Sequence, residues 1–168
     1  MELAESGKIT QYLTFILDEE VFALEIGKVR EVLDFTTLTK VPQTPAFMRG
    51  VINLRSSVVP VVDMRLKFGM AKTEQTVNTC IIIAEIELDG DTTVLGALAD
   101  SVQEVVELDQ DQIEPPPKIG TRLKTEFIRG MGRQDERFII LLDIDKIFST
   151  DELTQVQEVG VEEVLSPA

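Results

Sequence analysis

The sequence contains no histidine and a single cysteine, Cys80. Without histidine, the protein lacks the commonest general base, the usual nitrogen ligand of metals and the phosphoacceptor of two-component kinases. A single cysteine allows neither an intramolecular disulfide nor a cysteine-rich zinc site. Because the surrounding residues 79–83 (TCIII) are typical of a buried strand, we expect Cys80 to be a small buried residue and not a reactive thiol.

Long hydrophobic runs and catalytic motifs are also missing. The first six residues, MELAES, have neither the basic nor the apolar region of a signal peptide. No apolar run approaches the ~20 residues that span a bilayer, so we expect a cytoplasmic protein without membrane insertion. The sequence has no Gly-rich phosphate loop, no G-x-S-x-G motif and no metal-spaced carboxylates. Together with the missing histidine, these absences argue against an enzyme.

Charge narrows the classes of partner further. Thirty acidic residues oppose sixteen basic ones, which gives a net charge of −14. Such a surface repels phosphate backbones and anionic lipid headgroups, so nucleic-acid binding is not expected. It suits a basic patch on a partner protein. With 168 residues, the chain is long enough to bury a core without disulfides or metals.

Short β-branched and apolar segments separated by polar turns fill most of the chain. They predict an all-β fold built from hairpins. The predicted hairpins pair residues 10–17 with 21–26, 51–55 with 58–62, 79–88 with 93–98, and 127–132 with 137–142. Short helices are predicted after Asp63 and, from the capping-box spacing of Ser149 and Glu152, over residues 149–164 at the C-terminus.

An internal repeat is the most informative feature of the sequence. Phe47, Arg49, Gly50, Asp63 and Phe68 recur 80 positions later as Phe127, Arg129, Gly130, Asp143 and Phe148. The repeat predicts two similar β subdomains of about 75 residues each. About five short strands in each half are few for an open sheet, and closure into a small barrel would remove the edges. Two packed barrels leave a groove between them, which is a natural partner site.

The repeated aspartates, Asp63 and Asp143, have two interpretations. They are either the paired carboxylates of an acid/base enzyme or the caps of two equivalent short helices. We favour capping, because each residue opens a short helix in its own half. The repeated Arg49 and Arg129 are expected to be structural for the same reason, and residues unique to one half are better functional candidates.

Residues 53–56 (NLRS) are unique to the first half, since residues 133–136 (RQDE) replace them in the second. Arg55 lies beside a predicted turn among apolar residues, and Glu31 is its candidate carboxylate partner. An Arg–Glu pair at a groove either positions side chains of a partner or is a surface ion pair of little energetic weight. The residues alone leave both interpretations open.

Seven segments together resemble the CheW family of bacterial chemotaxis coupling proteins. The resemblance runs in order from about residue 9 to residue 148. Its segments are residues 12–15 (YLTF), 29–33 (VREVL), 41–45 (VPQTP), 50–55 (GVINLR), 59–63 (VPVVD), 113–117 (IEPPP) and 127–132 (FIRGMG). The resemblance implies two intertwined five-stranded SH3-like barrels with a short C-terminal helix. We expect a single module over residues 1–168, with 9–70 mainly in one barrel and 77–148 mainly in the other.

The resemblance also implies a function. It describes a non-catalytic adaptor, without cofactor, that links transmembrane chemoreceptors to the CheA histidine kinase and is recruited to receptor arrays. The receptor's cytoplasmic hairpin tip would bind in the groove between the barrels, at positions that match Val29, Glu31, Val32, Asn53 and Arg55. The kinase's regulatory domain would bind at the barrel ends, for which the candidates are Phe35, Glu114 and Ile119.

One position departs from the family pattern. The family usually has glycine after the Asn-Leu-Arg run, and this chain has Ser56. Glycine suits a turn residue with positive φ, which serine tolerates less well. We therefore expect the hairpin tip beside Arg55 to differ in shape.

Three functional hypotheses follow from the sequence. A chemotaxis adaptor binds both a kinase and a receptor without turnover. A generic β-barrel scaffold module outside chemotaxis binds one peptide partner through a groove or a strand edge. A carboxylate enzyme would use Asp63 and Asp143, and it is the weakest of the three because histidine is missing and capping explains both aspartates.

Overall fold

The computed structural model describes residues 8–116 and 125–148. In this part the chain forms eleven strands: β1 Ile9–Leu17, β2 Glu20–Glu25, β3 Val29–Asp34, β4 Met48–Leu54, β5 Ser57–Val62, β6 Cys80–Leu88, β7 Asp91–Ala99, β8 Ser101–Asp109, β9 Ile113–Glu114, β10 Ile128–Gln134 and β11 Arg137–Leu142. The helices are α1 Met64–Lys67, α2 Ile144–Ile147 and three single 3-10 turns, Ile26–Lys28, Gln110–Gln112 and Thr125–Phe127. No helix in the described ranges is both long and apolar enough to cross a membrane.

The strands form two curled sheets, which confirms the predicted all-β fold of two barrels. Barrel 1 has the strand order β8-β1-β2-β11-β10-β9, and barrel 2 has the order β3-β6-β7-β5-β4. The four predicted hairpins are all present, as the antiparallel pairs β1–β2, β4–β5, β6–β7 and β10–β11. The predicted C-terminal helix over 149–164 lies outside the described residues.

Both halves of the sequence contribute strands to both barrels. Residues 9–70 supply β1 and β2 to barrel 1 and β3, β4 and β5 to barrel 2. Residues 77–148 supply β6 and β7 to barrel 2 and β8 to β11 to barrel 1. Barrel 1 therefore takes the hairpin β1–β2 from the first half and its other strands from the second. Barrel 2 takes the hairpin β6–β7 from the second half and its other strands from the first. The repeats also share a bulge, since the register shift at Gly50 recurs 80 positions later at Gly130.

Short connections explain this exchange. Only Asp100 separates β7 from β8, and the single 3-10 turn Ile26–Lys28 separates β2 from β3. A hairpin needs a loop of at least about two residues, so a one-residue connection after β7 sends the chain into the other sheet. The backbone of Asp100 is held there because its N–H donates to the carbonyl of Ile16 on β1 at 2.9 Å.

The buried hydrophobic residues of the described chain form four clusters, and alternation along the central strands separates the three largest. On β6, Ile81 and Ile83 point into barrel 2, whereas Ile82 and Ala84 join a larger cluster that contains residues of both sheets. A third cluster, around Leu108, fills barrel 1. Because both faces of the central strands are covered, their sequences are continuously apolar and not alternating.

The two repeated aspartates have different environments. Asp63 precedes α1, is fully buried and accepts a hydrogen bond from the backbone N–H of Arg65 at 3.1 Å, so the capping prediction is confirmed for this residue. Asp143 stands at the equivalent N-cap position of α2, but its side chain makes no capping hydrogen bond. For Asp143 the predicted position is therefore right and the predicted side-chain role is wrong.

Candidate functional site

The predicted partners Arg55 and Glu31 form a two-pronged ion pair. Nη1 of Arg55 donates to Oε2 of Glu31 at 2.5 Å, and Nη2 donates to Oε1 at 2.9 Å. Glu31 lies on β3 and Arg55 lies in the turn between β4 and β5. Because β3 and β4 are the two outermost strands in the order of barrel 2, the ion pair connects the two ends of that sheet. A backbone bridge between Thr39 and Val51 joins the segment after β3 to β4.

The turn that carries Arg55 has an unusual backbone. Arg55 has a φ of 49° and Ser56 a φ of 71°. Positive φ at both central residues is typical of the two-residue turns that match strand twist. The side-chain Oδ1 of Asn53 accepts from the N–H of Ser56 at 3.0 Å, so this predicted site residue stabilises the turn. Serine thus adopts the conformation for which glycine is better suited, at a cost in backbone strain.

A groove of about 570 Å³ lies beside the ion pair. Its lining includes Arg30 and Glu31 from β3, Leu54 and Arg55 from the β4–β5 hairpin, and residues 92–94 from β7. Leu54 and Val94 also pack against the core of barrel 2, so the apolar wall of the groove continues into that core. All of its lining residues belong to barrel 2, so the groove beside the ion pair is not the predicted groove between the barrels.

The sequence did not identify every residue of this groove. Arg30 was not singled out, although it forms an ion pair with Glu85 at 3.2 Å. Residues 92–94 lie some sixty positions from Glu31, and only the pairing of β7 with β5 and β6 brings them to the groove. A sequence signal for them would require knowledge of the strand order.

The two predicted valines of β3 lie apart from the ion pair. Val29 packs against the cluster shared by both sheets, on the far side of a register shift between Val29 and Glu31. Val32 is exposed, and strand alternation turns it to the face opposite Glu31. The structure therefore brings Glu31, Asn53 and Arg55 together and places Val29 and Val32 on neighbouring surfaces of the same strand.

The electrostatics of the pair follow from its hydrogen bonds. The hydrogen bonds from Arg55 lower the pKa of the Glu31 carboxyl below its ordinary value. In the same way, the Glu31 carboxylate raises the pKa of the Arg55 guanidinium. Arg55 is 72% exposed, whereas Glu31 is 26% exposed, so the guanidinium faces solvent and the carboxylate anchors it. Exposed pairs add little stability, so this geometry suits recognition better than folding.

The candidate kinase contacts lie on different barrels. Phe35 follows β3, packs partly buried against the core of barrel 2, and donates its backbone N–H to Thr79 at 3.2 Å. Glu114 lies on β9 in barrel 1 and forms an ion pair with Arg133 at 3.4 Å. Ile119 lies outside the described residues. The structure therefore does not bring Phe35 and Glu114 into one site.

The buried Asp63 is fully occupied by protein contacts. It accepts hydrogen bonds from Arg49, from the backbone of Arg65, and from both the backbone and the hydroxyl of Thr73. A carboxylate with these four donors and no exposed surface cannot reach a substrate. Over residues 8–116 and 125–148, no group of three or more acidic or cysteine side chains is placed to hold a metal ion.

Comparison with known proteins agrees with these observations. The CheW-like domain family model matches residues 11–152. The chemotaxis protein CheW of Klebsiella aerogenes is 36% identical over 150 residues, which cover 89% of this chain and 88% of that protein. The chemotaxis protein CheW of Thermotoga maritima is 31% identical over 86% of this chain and 91% of its own length.

A solved structure has the same fold. The crystal structure of the scaffolding protein CheW from Thermoanaerobacter tengcongensis superposes with a TM-score of 0.76 at 35% identity. The match covers 86% of this chain and 91% of the crystallised one. The two interwoven barrels, the ordered motifs and these relatives lead to one conclusion: the chain belongs to the CheW-like family of chemotaxis scaffold proteins.

Proposed function

We propose that this protein is a non-catalytic adaptor that couples transmembrane chemoreceptors to the CheA histidine kinase. The observation that carries the proposal is the Arg55–Glu31 ion pair at the rim of the barrel 2 groove. Family membership supplies the context, because the relatives are named chemotaxis and scaffolding proteins. Binding to both partners would recruit the protein to receptor arrays at the membrane.

The groove suits the cytoplasmic hairpin tip of a receptor. An α-helix that lies in a groove presents an apolar stripe flanked by polar residues. The groove offers apolar contacts from Leu54 and Val94, and the guanidinium of Arg55 at its rim. Two of the five N–H donors of Arg55 bind Glu31, which leaves others free for a receptor side chain. We place Asn53, Val29 and Val32 in the same contact region.

Kinase binding is proposed on separate surfaces. Phe35 lies on barrel 2, Glu114 is the last residue of β9 in barrel 1, and Ile119 follows Glu114 in the sequence. Receptor and kinase contacts at separate places allow one adaptor molecule to hold both partners at once. Phe35 would supply apolar contact area to the kinase. The Glu114–Arg133 ion pair would supply charged groups at the edge of the kinase contact on barrel 1.

Co-sedimentation with a receptor cytoplasmic fragment and CheA tests the proposal, with kinase autophosphorylation as the second readout. We expect Arg55→Glu to lose receptor binding, because two carboxylates then face each other at the groove. Arg137→Glu is the matched control, since it makes the same charge change at an exposed residue of β11. The double variant Glu31→Arg, Arg55→Glu restores the ion pair with the two charges exchanged. It tests whether receptor binding needs an ion pair as such or needs the positive charge at residue 55.

The outcomes discriminate between hypotheses. Loss of receptor binding with CheA binding retained in Arg55→Glu supports both the adaptor function and the receptor site. Equal loss in Arg137→Glu would mean that net charge, and not the ion pair, controls binding. If the unmodified protein joins neither partner, the adaptor proposal fails and a generic β-barrel peptide-binding module becomes the better hypothesis.

A further inference from the structure

A second pocket carries positive charge on a strongly acidic protein. It has a volume of about 360 Å³ and lies where the segment after β3, strand β4 and helix α1 meet. Three cations line it, together with aliphatic and thioether side chains. The cations are Lys40, Arg49 and Lys72, and the apolar residues are Val41, Met48 and Leu66. With a net charge of −14 over the whole chain, a cluster of three cations is a local exception.

Two of these cations have no partner among the described residues. Arg49 is committed to Asp63 at 2.9 Å and to the carbonyl of Thr73 at 3.1 Å. Lys40 and Lys72 form neither an ion pair nor a hydrogen bond within residues 8–116 and 125–148. The pocket therefore offers two uncompensated ammonium groups beside an apolar surface, which suits an occupant that is both acidic and aliphatic.

The backbone holds both lysines in place. Lys40 follows Thr39, whose backbone pairs with Val51 of β4 through two hydrogen bonds of 3.0 and 2.9 Å. Lys72 precedes Thr73, whose N–H and hydroxyl both bind the buried carboxylate of Asp63. The neighbours of both lysines are thus fixed, and the pocket is formed before any occupant arrives.

The described chain ends against residues that adjoin the pocket lining in the sequence. The ring of Phe148 packs against that of Phe47 with centroids 5.3 Å apart. The ammonium of Lys67 lies 5.1 Å from the Phe47 ring centroid and 5.7 Å from that of Phe148. Phe47 stands between the pocket residues Ala46 and Met48, and Lys67 follows the pocket residue Leu66. Phe148, the last described residue, is therefore anchored on the segment that leads into β4 and on α1, two parts of the chain that also supply pocket residues.

The sequence after Phe148 has the complementary composition. Residues 149–168 contain no Lys or Arg, and their acidic residues are Asp151, Glu152, Glu158, Glu162 and Glu163. Aliphatic residues are interspersed, with Leu153, Val156 and Val159 at helical spacing. The match to the CheW-like family model ends at residue 152, so most of this segment lies beyond the family domain. At up to about 3.3 Å per residue, it is long enough to cross the pocket.

We propose that the acidic segment 149–168 docks into the pocket lined by Lys40 and Lys72. Its carboxylates neutralise the two ammonium groups, and its aliphatic side chains cover Val41, Met48 and Leu66. A segment tethered to the same chain as its site has a local concentration of the millimolar order, so a modest intrinsic affinity is enough for occupancy. An acidic segment of another protein that uses this pocket must then displace the chain's own tail.

Paramagnetic broadening in the full-length protein tests the proposal. A nitroxide attached to Gln157→Cys, in a Cys80→Ser background, reports which backbone amides the segment approaches. We expect selective loss of the amide signals of Val41, Met48, Leu66 and Lys72 at low salt. In the Lys40→Glu, Lys72→Glu variant and at about 1 M NaCl, we expect the loss to become at least about twofold smaller, because the contact is electrostatic and screened by salt.

The control again uses Arg137→Glu, which also replaces a positive charge by a negative one. Arg137 is the first residue of β11, at the end of that strand opposite to the one that leads into α2. It should leave the broadening unchanged. Pocket amides that keep full intensity in the labelled protein, while the remaining spectrum shows a folded chain, would overturn the proposal and leave the pocket to an occupant from another molecule. Broadening that is equal in the lysine variant and the control would also overturn it, because the lysines would then not hold the segment.

Discussion

Nη1 of Arg49 donates to Oδ2 of Asp63 at 2.9 Å, and the Asp63 carboxylate is fully buried. The repeated residues in the second half do not form this contact. Arg129 instead binds Glu25 at 3.0 Å, and Asp143 has Lys146 at 3.9 Å as an ion-pair neighbour. The same two sequence positions therefore build a buried network in one repeat and surface pairs in the other.

We expect Asp63→Asn to destabilise the protein by about 3 kcal/mol, because removing one charge from a buried pair leaves its partner uncompensated. Both Arg49 and the backbone N–H of Thr73 donate to Oδ2, and an amide NH₂ group at that place would face two donors. Asp143→Asn is the matched control and should cost less than about 1 kcal/mol. Urea unfolding of both variants measures the difference, and equal losses would contradict the asymmetry.

The sequence predicted the two barrels because the repeat and the hairpin turns are local signals. It could not show which repeat supplies which strand, because two similar repeats offer equivalent edges to the same hairpin. The signal that resolves this choice is the length of a connection. Only Asp100 lies between β7 and β8, and one residue is too short for a hairpin loop. This criterion requires strand ends to be known within one residue, which patterns do not provide.

The residues of the candidate site could also be predicted only in part from the sequence. Glu31 and Arg55 were paired from charge and uniqueness alone, and the structure confirms their contact. Alternation alone separates Val32 from Glu31, but the separation of Val29 from Glu31 involves a register shift in β3 that the sequence pattern does not show. Residues 92–94 reach the groove only through long-range strand pairing.

The Arg55–Glu31 contact predicts an acid titration. The hydrogen bonds from Arg55 lower the pKa of Glu31 from its ordinary value of 4.5. Because the folded pKa is depressed, the contribution of the pair to stability is fully present above the ordinary value of 4.5 and is lost as pH falls through the folded pKa. In Arg55→Gln the Glu31 pKa should return toward 4.5, as measured by NMR titration of the side-chain carboxyl. An unchanged pKa in this variant would show that the pair is not formed in solution.

Ser56 predicts a stabilising substitution. Its φ of 71° lies in the left-handed region, which costs a non-glycine residue roughly 1 kcal/mol or more. Glycine relieves this strain but loses more backbone entropy on folding, so we expect Ser56→Gly to gain about 0.5 kcal/mol. The hydrogen bond to Asn53 is retained, since it uses the Ser56 backbone N–H. Thermal unfolding measures the shift.

Ser57→Gly is the matched control for this effect. Ser57 is the first residue of β5 and has no positive φ, so glycine there only adds flexibility and should lower stability by about 0.5 kcal/mol. If the two substitutions shift the melting temperature in the same direction, backbone strain at residue 56 is not the cause.

Gly50 predicts a large loss on substitution by alanine. A Cβ at this position would lie 2.7 Å from the carbonyl oxygen of Thr39, and the φ of +151° is rare for other residues. The backbone bridge between Thr39 and Val51 would have to open to make room. We expect Gly50→Ala to cost about 2 kcal/mol or more, comparable to overpacking a core. Gly27→Ala, with nothing within 4 Å of its Cβ, should be nearly neutral in the same urea titration.

Cys80 predicts slow thiol chemistry. Cys80 is partly buried, so the predicted full burial is wrong for this residue. Its partial burial still raises its pKa above the ordinary 9.0, and its Sγ donates to the carbonyl of Asn78 at 3.3 Å. The thiolate is the reactive form, so at pH 8 we expect iodoacetamide to alkylate Cys80 several-fold more slowly in the folded protein than in urea. Because the folded pKa is raised, the linked stability is full below pH 9 and falls above it. Equal alkylation rates in both states would show that partial burial in the folded chain does not protect the Cys80 thiol.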